Sequence, residues 1–81
     1  MSFTIYSKPG CPNCENCIAV MEHEGFVHVV YELDKDFSSE EFYAEFGEGS
    51  TFPQITLDDI QLGGCRETIT YLQKQNVCCN V

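Results

Sequence analysis

Runs of β-branched, aliphatic and aromatic residues, bounded by Gly, Pro and Asp, predict four short strands in this chain. The runs cover residues 3–6, 27–31, 54–57 and 60–62. The second run is apolar at nearly every position, which is typical of a strand that is covered on both faces. Only Asp58 and Asp59 separate the last two runs. We therefore expect a tight turn there and an antiparallel pairing of the two strands that it joins.

The segment after the first strand has the period of a helix. Pro12 suits a first helical turn, because its missing N–H would have had no partner there. The apolar positions then recur at i, i+3, i+4 and i+7 and form one stripe, which consists of Cys14, Cys17, Ile18 and Met21. Gly25 predicts the end of this helix.

Two further helices are predicted from local signals. The second opens at Ser38, which has the capping-box spacing to Glu41. The third follows a pair of glycines and runs over residues 65–75. The side chains expected to face the core are Phe42 and Phe46 in the second helix, and Ile69 and Leu72 in the third.

The elements follow the order β-α-β-α-β-β-α. The initial β-α-β unit predicts that the first two strands are parallel, with a right-handed crossover. The sequence thus predicts an α/β fold in which a four-stranded mixed sheet carries three helices on its faces. The chain has 81 residues and shows no repeat or linker, so we expect residues 1–81 to form one domain.

The charge of the chain excludes some classes of partner. The net charge is −9, and only four residues are basic. Nucleic acids and anionic membranes are poor partners for such a chain, because phosphate binding needs concentrated Lys and Arg. No apolar run approaches the roughly 20 residues that span a bilayer. The first residues also lack the basic start and apolar stretch of a secretory signal. We therefore expect a cytoplasmic protein.

Six cysteines are a high number for a chain of this length. Three lie at positions 11, 14 and 17, two at positions 78 and 79, and one at position 65. A disulfide framework usually spreads its crosslinks along a secreted chain. Clustered cysteines in a reducing compartment indicate redox chemistry or metal binding instead.

The motif Cys11-Pro12-Asn13-Cys14 lies where the first strand ends and the first helix begins. A Cys-x-x-Cys motif beside a β-α-β unit indicates thiol–disulfide exchange. Unpaired N–H groups and the helix dipole favour an anion at this end of a helix, and the thiolate is the reactive form of cysteine. We expect Cys11 to attack a disulfide, and the more buried Cys14 to resolve the mixed disulfide that forms. Lys8 would add positive charge nearby.

Metal binding is the alternative for the clustered cysteines. Cys11, Cys14 and Cys17 have the spacing that opens a bacterial ferredoxin cluster site. The fourth cysteine of that pattern is absent, because position 21 is Met. Cys17 shares the helix face of Cys14, so we interpret it as core filling, with regulation as a second reading, and expect no metal.

Three segments together resemble the glutaredoxin family. The segment from Tyr6 to Cys14 is similar to the family's active-site segment. Thr51-Phe52-Pro53-Gln54-Ile55 is similar to the family's Thr-Val-Pro-Gln-Ile segment, and Leu62-Gly63-Gly64-Cys65 to its glycine-rich turn. The segments occur in the family's order and extend over nearly the whole chain.

This resemblance implies a thioredoxin-like fold, a cis peptide before Pro53, and glutathione as the reducing co-substrate. It also implies a glutathione groove and disulfide-containing protein substrates, with a ribonucleotide reductase as one candidate, and a monomeric protein. The residues that would bind glutathione or substrate are Lys8, Pro12, Asn13, Phe52, Pro53, Gly64 and Cys65. The N–H groups of Gly64 and Cys65 would receive a glutathione carboxylate.

Two departures from the family pattern keep a second reading open. Asn13 stands where the family usually has Tyr, and Arg66 stands where an acidic residue often follows the glycine-rich turn. The second reading is a dedicated electron donor to a ribonucleotide reductase, reduced by thioredoxin reductase. A third reading is an iron–sulfur or metal carrier, although cluster-binding glutaredoxins often lack the proline found here as Pro12. Cys78 and Cys79 receive no role from the sequence.

Overall fold

The computed structural model describes residues 2–75, and it contains seven elements in the predicted order. They are β1 (Phe3–Ser7), α1 (Pro12–Glu24), β2 (His28–Glu32), α2 (Ser39–Phe46), β3 (Gln54–Leu57), β4 (Ile60–Gly63) and α3 (Cys65–Lys74). The predicted fold class is confirmed, and the predicted ends of the elements differ from these by one or two residues. Cys78 and Cys79 lie outside the described residues.

The four strands form one mixed sheet in the order β2-β1-β3-β4. β1 pairs in parallel with β2, and β3 is antiparallel to both β1 and β4. Asp58 and Asp59 form the expected turn between β3 and β4. β1 is therefore an inner strand of the sheet. The segment that carries Cys11 follows the end of this inner strand.

The prediction that the second strand is covered on both faces is wrong. β2 is an edge strand, and two of its apolar side chains reach solvent, since Val29 is 41% and Tyr31 is 39% exposed. The apolar run did not reveal that this strand lies at the edge of the sheet, where it has a neighbouring strand on one side only. Only the alternate residues of β2 turn towards the core.

The main core lies between the sheet and helices α1 and α3. Alternate residues of β1 and β3 point to this side, and the stripe of α1 and one residue of α3 close it. The buried members of this cluster are Phe3, Ile5, Cys17, Met21, Ile55, Leu57 and Leu72. The predicted stripe of α1 is thus confirmed, with Ile18 partly buried against the cluster.

A second, aromatic cluster lies on the other side of β1, beneath α2. Tyr6 points there and meets the ring of Phe46 at 5.0 Å and that of Phe37 at 5.4 Å between ring centroids. Phe42 is fully buried in this cluster, and Phe46 is half-buried. Both predicted inward-facing residues of α2 therefore lie in this aromatic cluster. No helix of the described chain is long and apolar enough to cross a membrane.

The helix ends follow the local signals of the sequence. Gly25 ends α1 with φ +72°, and its N–H bonds to the carbonyls of Met21 and Glu22. The capping box of α2 is complete: the N–H of Glu41 donates to Ser38 Oγ at 3.1 Å, and the N–H of Ser38 donates to Glu41 Oε1 at 2.9 Å.

Helix α3 differs in part from its prediction. Leu72 is buried as expected, but Ile69 is only half-buried and does not belong to the core cluster. Thr68 is fully buried instead, and its hydroxyl donates to the Gly64 carbonyl at 2.8 Å. A threonine tolerates this burial because its hydroxyl finds a partner inside its own helix. The helical period had predicted that Ile69, the more apolar of these two neighbouring residues, would be the buried one.

Candidate active site

Cys11 is the N-cap residue of α1. Its backbone is extended (φ −108°, ψ 102°), and Pro12 follows at the first helical position. The N–H of Cys14 donates to Cys11 Sγ at 3.2 Å. The sulfur thus occupies the place of the side-chain oxygen in an ordinary N-cap, where the unpaired amides of the first turn point at it.

This position favours a charged sulfur when the cysteine is reduced. The positive end of the helix dipole and a direct N–H donor both stabilise an anion at Cys11 Sγ. Proline at the first helical position withdraws no donor from the helix, since its N–H would be unpaired there in any case. The predicted setting of Cys11 at the start of the helix is therefore confirmed.

Cys11 and Cys14 form a disulfide in this structure, with 5.2 Å between their Cα atoms. Cys11 is 6% exposed, whereas Cys14 is 1% exposed. The expected order of burial is therefore found, and the outer sulfur is the one that an incoming disulfide would meet. The two sulfurs can exchange a disulfide with a third sulfur without a large movement of the backbone.

Cys17 faces the core, as the helical spacing predicted, and none of its surface is exposed. The pKa of its thiol is raised to about 12, chiefly by burial and further by the charge and side-chain hydrogen bond of the neighbouring Cys65. A thiol that stays protonated is a poor metal ligand. Within residues 2–75, no group of three or more His, Cys, Asp or Glu side chains is arranged to hold a metal ion.

A groove of about 620 Å³ runs beside the start of α1. Three separate parts of the chain form its walls: the first turns of α1, the loop before β3, and the start of α3. The lining residues are Asn13, Asn16, Thr51, Phe52, Pro53, Gly64, Cys65, Arg66, Glu67, Ile69 and Thr70. The order of the strands brings these parts together, because β3 lies directly beside β1.

Five of the seven residues predicted to bind glutathione or substrate line this groove: Asn13, Phe52, Pro53, Gly64 and Cys65. Lys8 lies at its margin, with Nζ 5.3 Å from the centre of the Phe52 ring. Pro12 is exposed at the start of α1 and does not line the groove. The peptide bond between Phe52 and Pro53 is cis, as the family resemblance implied.

Phe52 is held in place by the aromatic cluster beneath α2. Its ring stacks on that of Phe42 at 4.1 Å between centroids, with only 10° between the planes. Phe37 also stacks on it at 6.3 Å. The fully buried Phe42 is therefore the contact through which α2 positions one wall of the groove.

The start of α3 is an N-terminus without a side-chain cap. Gly64 is the N-cap residue and supplies no side-chain hydrogen bond to the helix. Gly63 has φ +104°, where a larger residue would be strained, and a Cβ atom there would lie 3.2 Å from Glu67 Cβ. At Gly64 a Cβ atom would lie 3.1 Å from Glu67 Oε2. The Glu67 carboxylate is thus folded back over the two glycines.

Several lining residues were not predicted as binding residues. Asn16 lies one helical turn after Asn13 on the exposed side of α1, and Ile69 and Thr70 lie one turn after Cys65 and Arg66. The helical spacing from predicted residues was the available signal for these positions. Arg66 entered the sequence analysis only as a departure from the family pattern, and it lines the groove together with Glu67.

Comparison with known sequences agrees with the family resemblance of the three segments. A family model described as glutaredoxin matches residues 3–60 of this chain. A Synechocystis sp. protein named as a probable glutaredoxin is 34% identical over 62 residues, which are 75% of this chain and 70% of that protein.

Solved structures show the same fold. Glutaredoxin 1 from Francisella tularensis, crystallised with cacodylate, has a TM-score of 0.77 at 27% identity, covering 93% of this chain and 95% of that one. A buckwheat glutaredoxin–glutathione complex has a TM-score of 0.76 at 18% identity, covering 93% of this chain and 71% of that one. The described chain therefore has the thioredoxin-like fold of these structures.

Proposed function

Because the chain belongs to the glutaredoxin family, we propose that it reduces disulfides with glutathione as its electron donor. Family and fold identify it as a thiol–disulfide oxidoreductase with a Cys11–Cys14 dithiol. The choice of glutathione is our proposal, and the groove beside the dithiol supports it. The buckwheat protein of the same fold was crystallised with glutathione.

The reaction begins with the reduced protein. The Cys11 thiolate attacks one sulfur of a protein disulfide, forms a mixed disulfide, and releases the other sulfur as a thiolate that takes up a proton. Cys14 then loses its proton and attacks Cys11 Sγ, which forms the disulfide seen in the structure and releases the second substrate thiol. Two glutathione molecules return the pair to the dithiol and leave as glutathione disulfide.

A glutathione mixed disulfide needs only the first sulfur. Cys11 attacks the glutathione sulfur and releases the protein thiol, and a second glutathione then frees Cys11 by attacking its bound partner. Cys14 takes no part in this route. Both cysteines are buried, but Cys11 (6% exposed) lies closer to the surface than Cys14 (1% exposed), and this order fits the two roles, because the incoming disulfide meets the outer sulfur first.

The charges of the groove match those of glutathione, which carries two carboxylates and one ammonium. Arg66 and the uncapped start of α3 would receive one carboxylate. Lys8 at the margin would receive the other, and Glu67 would pair with the ammonium. This local arrangement is needed because the net charge of −9 gives no long-range attraction for an anion.

One observation carries the proposal: the sulfur of Cys11 caps α1, and the first turns of the same helix form one wall of a groove that also includes the start of α3, although Cys11 and Cys14 themselves do not line it. Two helix N-termini thus serve one site. The first stabilises the attacking thiolate, and the second offers N–H groups to a carboxylate of the reductant. We expect the protein to act in the cytoplasm as a monomer on disulfide-containing proteins.

The test is a glutathione-coupled assay on two substrates, a glutathione mixed disulfide and a protein disulfide. Cys11→Ser should abolish both activities. Cys14→Ser should keep the first and lose the second, because only a protein disulfide needs the resolving thiol. Cys17→Ala is the matched control, and it should retain both, since its sulfur is buried away from the groove. Full turnover by Cys11→Ser would refute the assignment.

The choice of reductant needs a separate comparison. The rate at which glutathione reduces the Cys11–Cys14 disulfide is measured beside the rate with thioredoxin reductase and NADPH. Fast reduction by glutathione and none by the enzyme is the expected result. The opposite result would contradict glutathione dependence and support the alternative of a dedicated electron donor.

A further inference from the structure

Two cysteines near the active site have no part in the reaction described above. Cys17 lies in the middle of α1, and Cys65 is the first residue of α3. Both are free thiols. Cys17 is fully buried, whereas Cys65 is half-buried.

Cys65 lies between the groove and the core. On its outer side it forms part of the groove wall with Asn13 and Phe52. On its inner side it packs against the core cluster that contains Cys17. The two side chains are in hydrogen-bonding contact, although they are far apart in the chain. A molecule in the groove can thus reach Cys65 from outside, while Cys17 faces it from inside.

We propose that Cys17 and Cys65 are a second redox pair, which a low-molecular-weight disulfide such as glutathione disulfide oxidises through the groove. The placement of the two sulfurs suits this chemistry. Disulfide exchange needs the attacking and leaving sulfurs on opposite sides of the central one. Cys17 would attack from the core, and the leaving glutathione would depart into the groove.

The reaction has two balanced steps. Cys65 loses its proton and attacks one sulfur of glutathione disulfide, which forms a mixed disulfide and releases one glutathione as a thiol after it takes up that proton. Cys17 then loses its proton and attacks Cys65 Sγ, which forms the Cys17–Cys65 disulfide and releases the second glutathione. The protein loses two electrons and two protons, and glutathione disulfide gains them.

The second step should be slow at neutral pH. The pKa of Cys17 is raised to about 12, so only a small fraction of this thiol is ionised in the physiological range. Brief exposure to the oxidant would leave Cys65 as its mixed disulfide with glutathione, whereas sustained exposure would close the Cys17–Cys65 disulfide. Because Cys65 forms part of the groove wall, we expect closure of the pair to change the shape of that wall. This consequence rests on the proposed use of the groove by glutathione.

The direct test uses a variant in which only this pair can react. Cysteines 11, 14, 78 and 79 are replaced by serine, and folding is checked by circular dichroism. After incubation with excess glutathione disulfide, we expect intact mass to show the loss of two hydrogens and no bound glutathione. Adding Cys17→Ala gives the matched control, which should stop at one bound glutathione on Cys65. A stable glutathione adduct in the presence of Cys17, or two unmodified thiols, would overturn the proposal.

A second variant with fewer substitutions tests the same pair in case the first variant does not fold. It retains the Cys11–Cys14 pair and carries only Cys78→Ser and Cys79→Ser. Denaturation and alkylation after the same oxidation should find no free thiol if both pairs are closed. Two alkylated residues, mapped to positions 17 and 65, would equally contradict the inference.

The pH dependence identifies Cys17 as the resolving thiol. The mixed disulfide on Cys65 is formed in the first variant, the excess oxidant is removed, and the pH is raised. Release of glutathione should accelerate about tenfold per pH unit, because the thiolate fraction rises tenfold per unit below the pKa. A rate that levels off near neutral pH would refute resolution by Cys17.

These measurements separate the inference from the proposed function. A protein that forms the bridge but shows no glutathione-linked turnover would refute only the proposed function. A protein that turns over normally but never forms the bridge would refute only the second redox pair.

Discussion

Helix α2 should control the groove through a single aromatic stack. Phe42 is 1% exposed, and its ring lies 4.1 Å from the ring of Phe52, nearly parallel to it. Phe52 in turn forms part of the groove wall. Weakening this contact should therefore change both the stability of the fold and the affinity of the groove.

The substitution must be small enough to leave a folded protein. A domain of this length has a free energy of unfolding of about 4–12 kcal/mol. Truncating a buried Phe to Ala costs about 3–5 kcal/mol, which is much of that total. Phe42→Leu keeps an apolar side chain, and we expect it to cost about 1–2 kcal/mol. Each kcal/mol lowers the Tm of a domain of this size by about 4–8 °C.

The contribution of the stack itself is measured by a double-mutant cycle. The free energy of unfolding in urea is determined for Phe42→Leu, Phe52→Leu and the double variant. Stacked rings contribute about 0.5–1.5 kcal/mol beyond the area that they bury, and this should appear as the coupling energy. Tyr43→Leu is the control on the same helix: the Tyr43 ring also meets the Phe42 ring, at 5.3 Å between centroids, but Tyr43 is 38% exposed, so the substitution should cost less.

The kinetic consequence follows from the position of Phe52. Phe42→Leu should raise the KM for glutathione and leave kcat nearly unchanged, because the chemistry resides at Cys11 and only the groove wall moves. Tyr43→Leu should change neither constant. The reasoning is refuted if the two substitutions at Phe42 and Phe52 are additive within about 0.3–0.5 kcal/mol, the range expected for independent sites.

Three further outcomes are expected. Ser38→Ala should lower the free energy of unfolding, measured by heat or urea, by about 1 kcal/mol, because it removes the acceptor of the capping box. Ser39→Ala, at the next position, is the control and should have little effect. Equal losses in the two variants would contradict the role of the cap. The pKa of Cys17 is higher in the folded protein than the ordinary value of 9.0, so stability should fall as pH rises from about 9 towards 12, and Cys17→Ala should weaken that fall. An unchanged pH profile in Cys17→Ala would argue against the buried thiol. Gly63→Ala should lower the Tm more than Gly64→Ala, because of these two glycines only Gly63 has a positive φ, of +104°. A strained backbone at such a position costs about 1–3 kcal/mol. The reverse order would show that contact with Glu67 matters more than the backbone.

Features that depend on a few consecutive residues were predictable from the sequence. The N-cap position of Cys11, the inward direction of Cys17 and the capping box at Ser38 each involve residues within one helical turn. The backbone geometry of a helix fixes such relations without reference to the rest of the chain. The fold class followed for a similar reason, because the order of the elements permits few arrangements.

The arrangement of distant segments was decided only by the tertiary structure. The apolar run of β2 did not distinguish an edge strand from a central one, because apolar residues in a strand do not determine which strands pair with it. The stack of Phe42 on Phe52 and the meeting of Cys17 with Cys65 join segments that are far apart in the chain. Such contacts arise from the order of the strands and the packing of helices on both faces of the sheet. The sequence by itself determined the reactive motif and its helix, and the packing of the described chain, residues 2–75, determined the groove beside that helix.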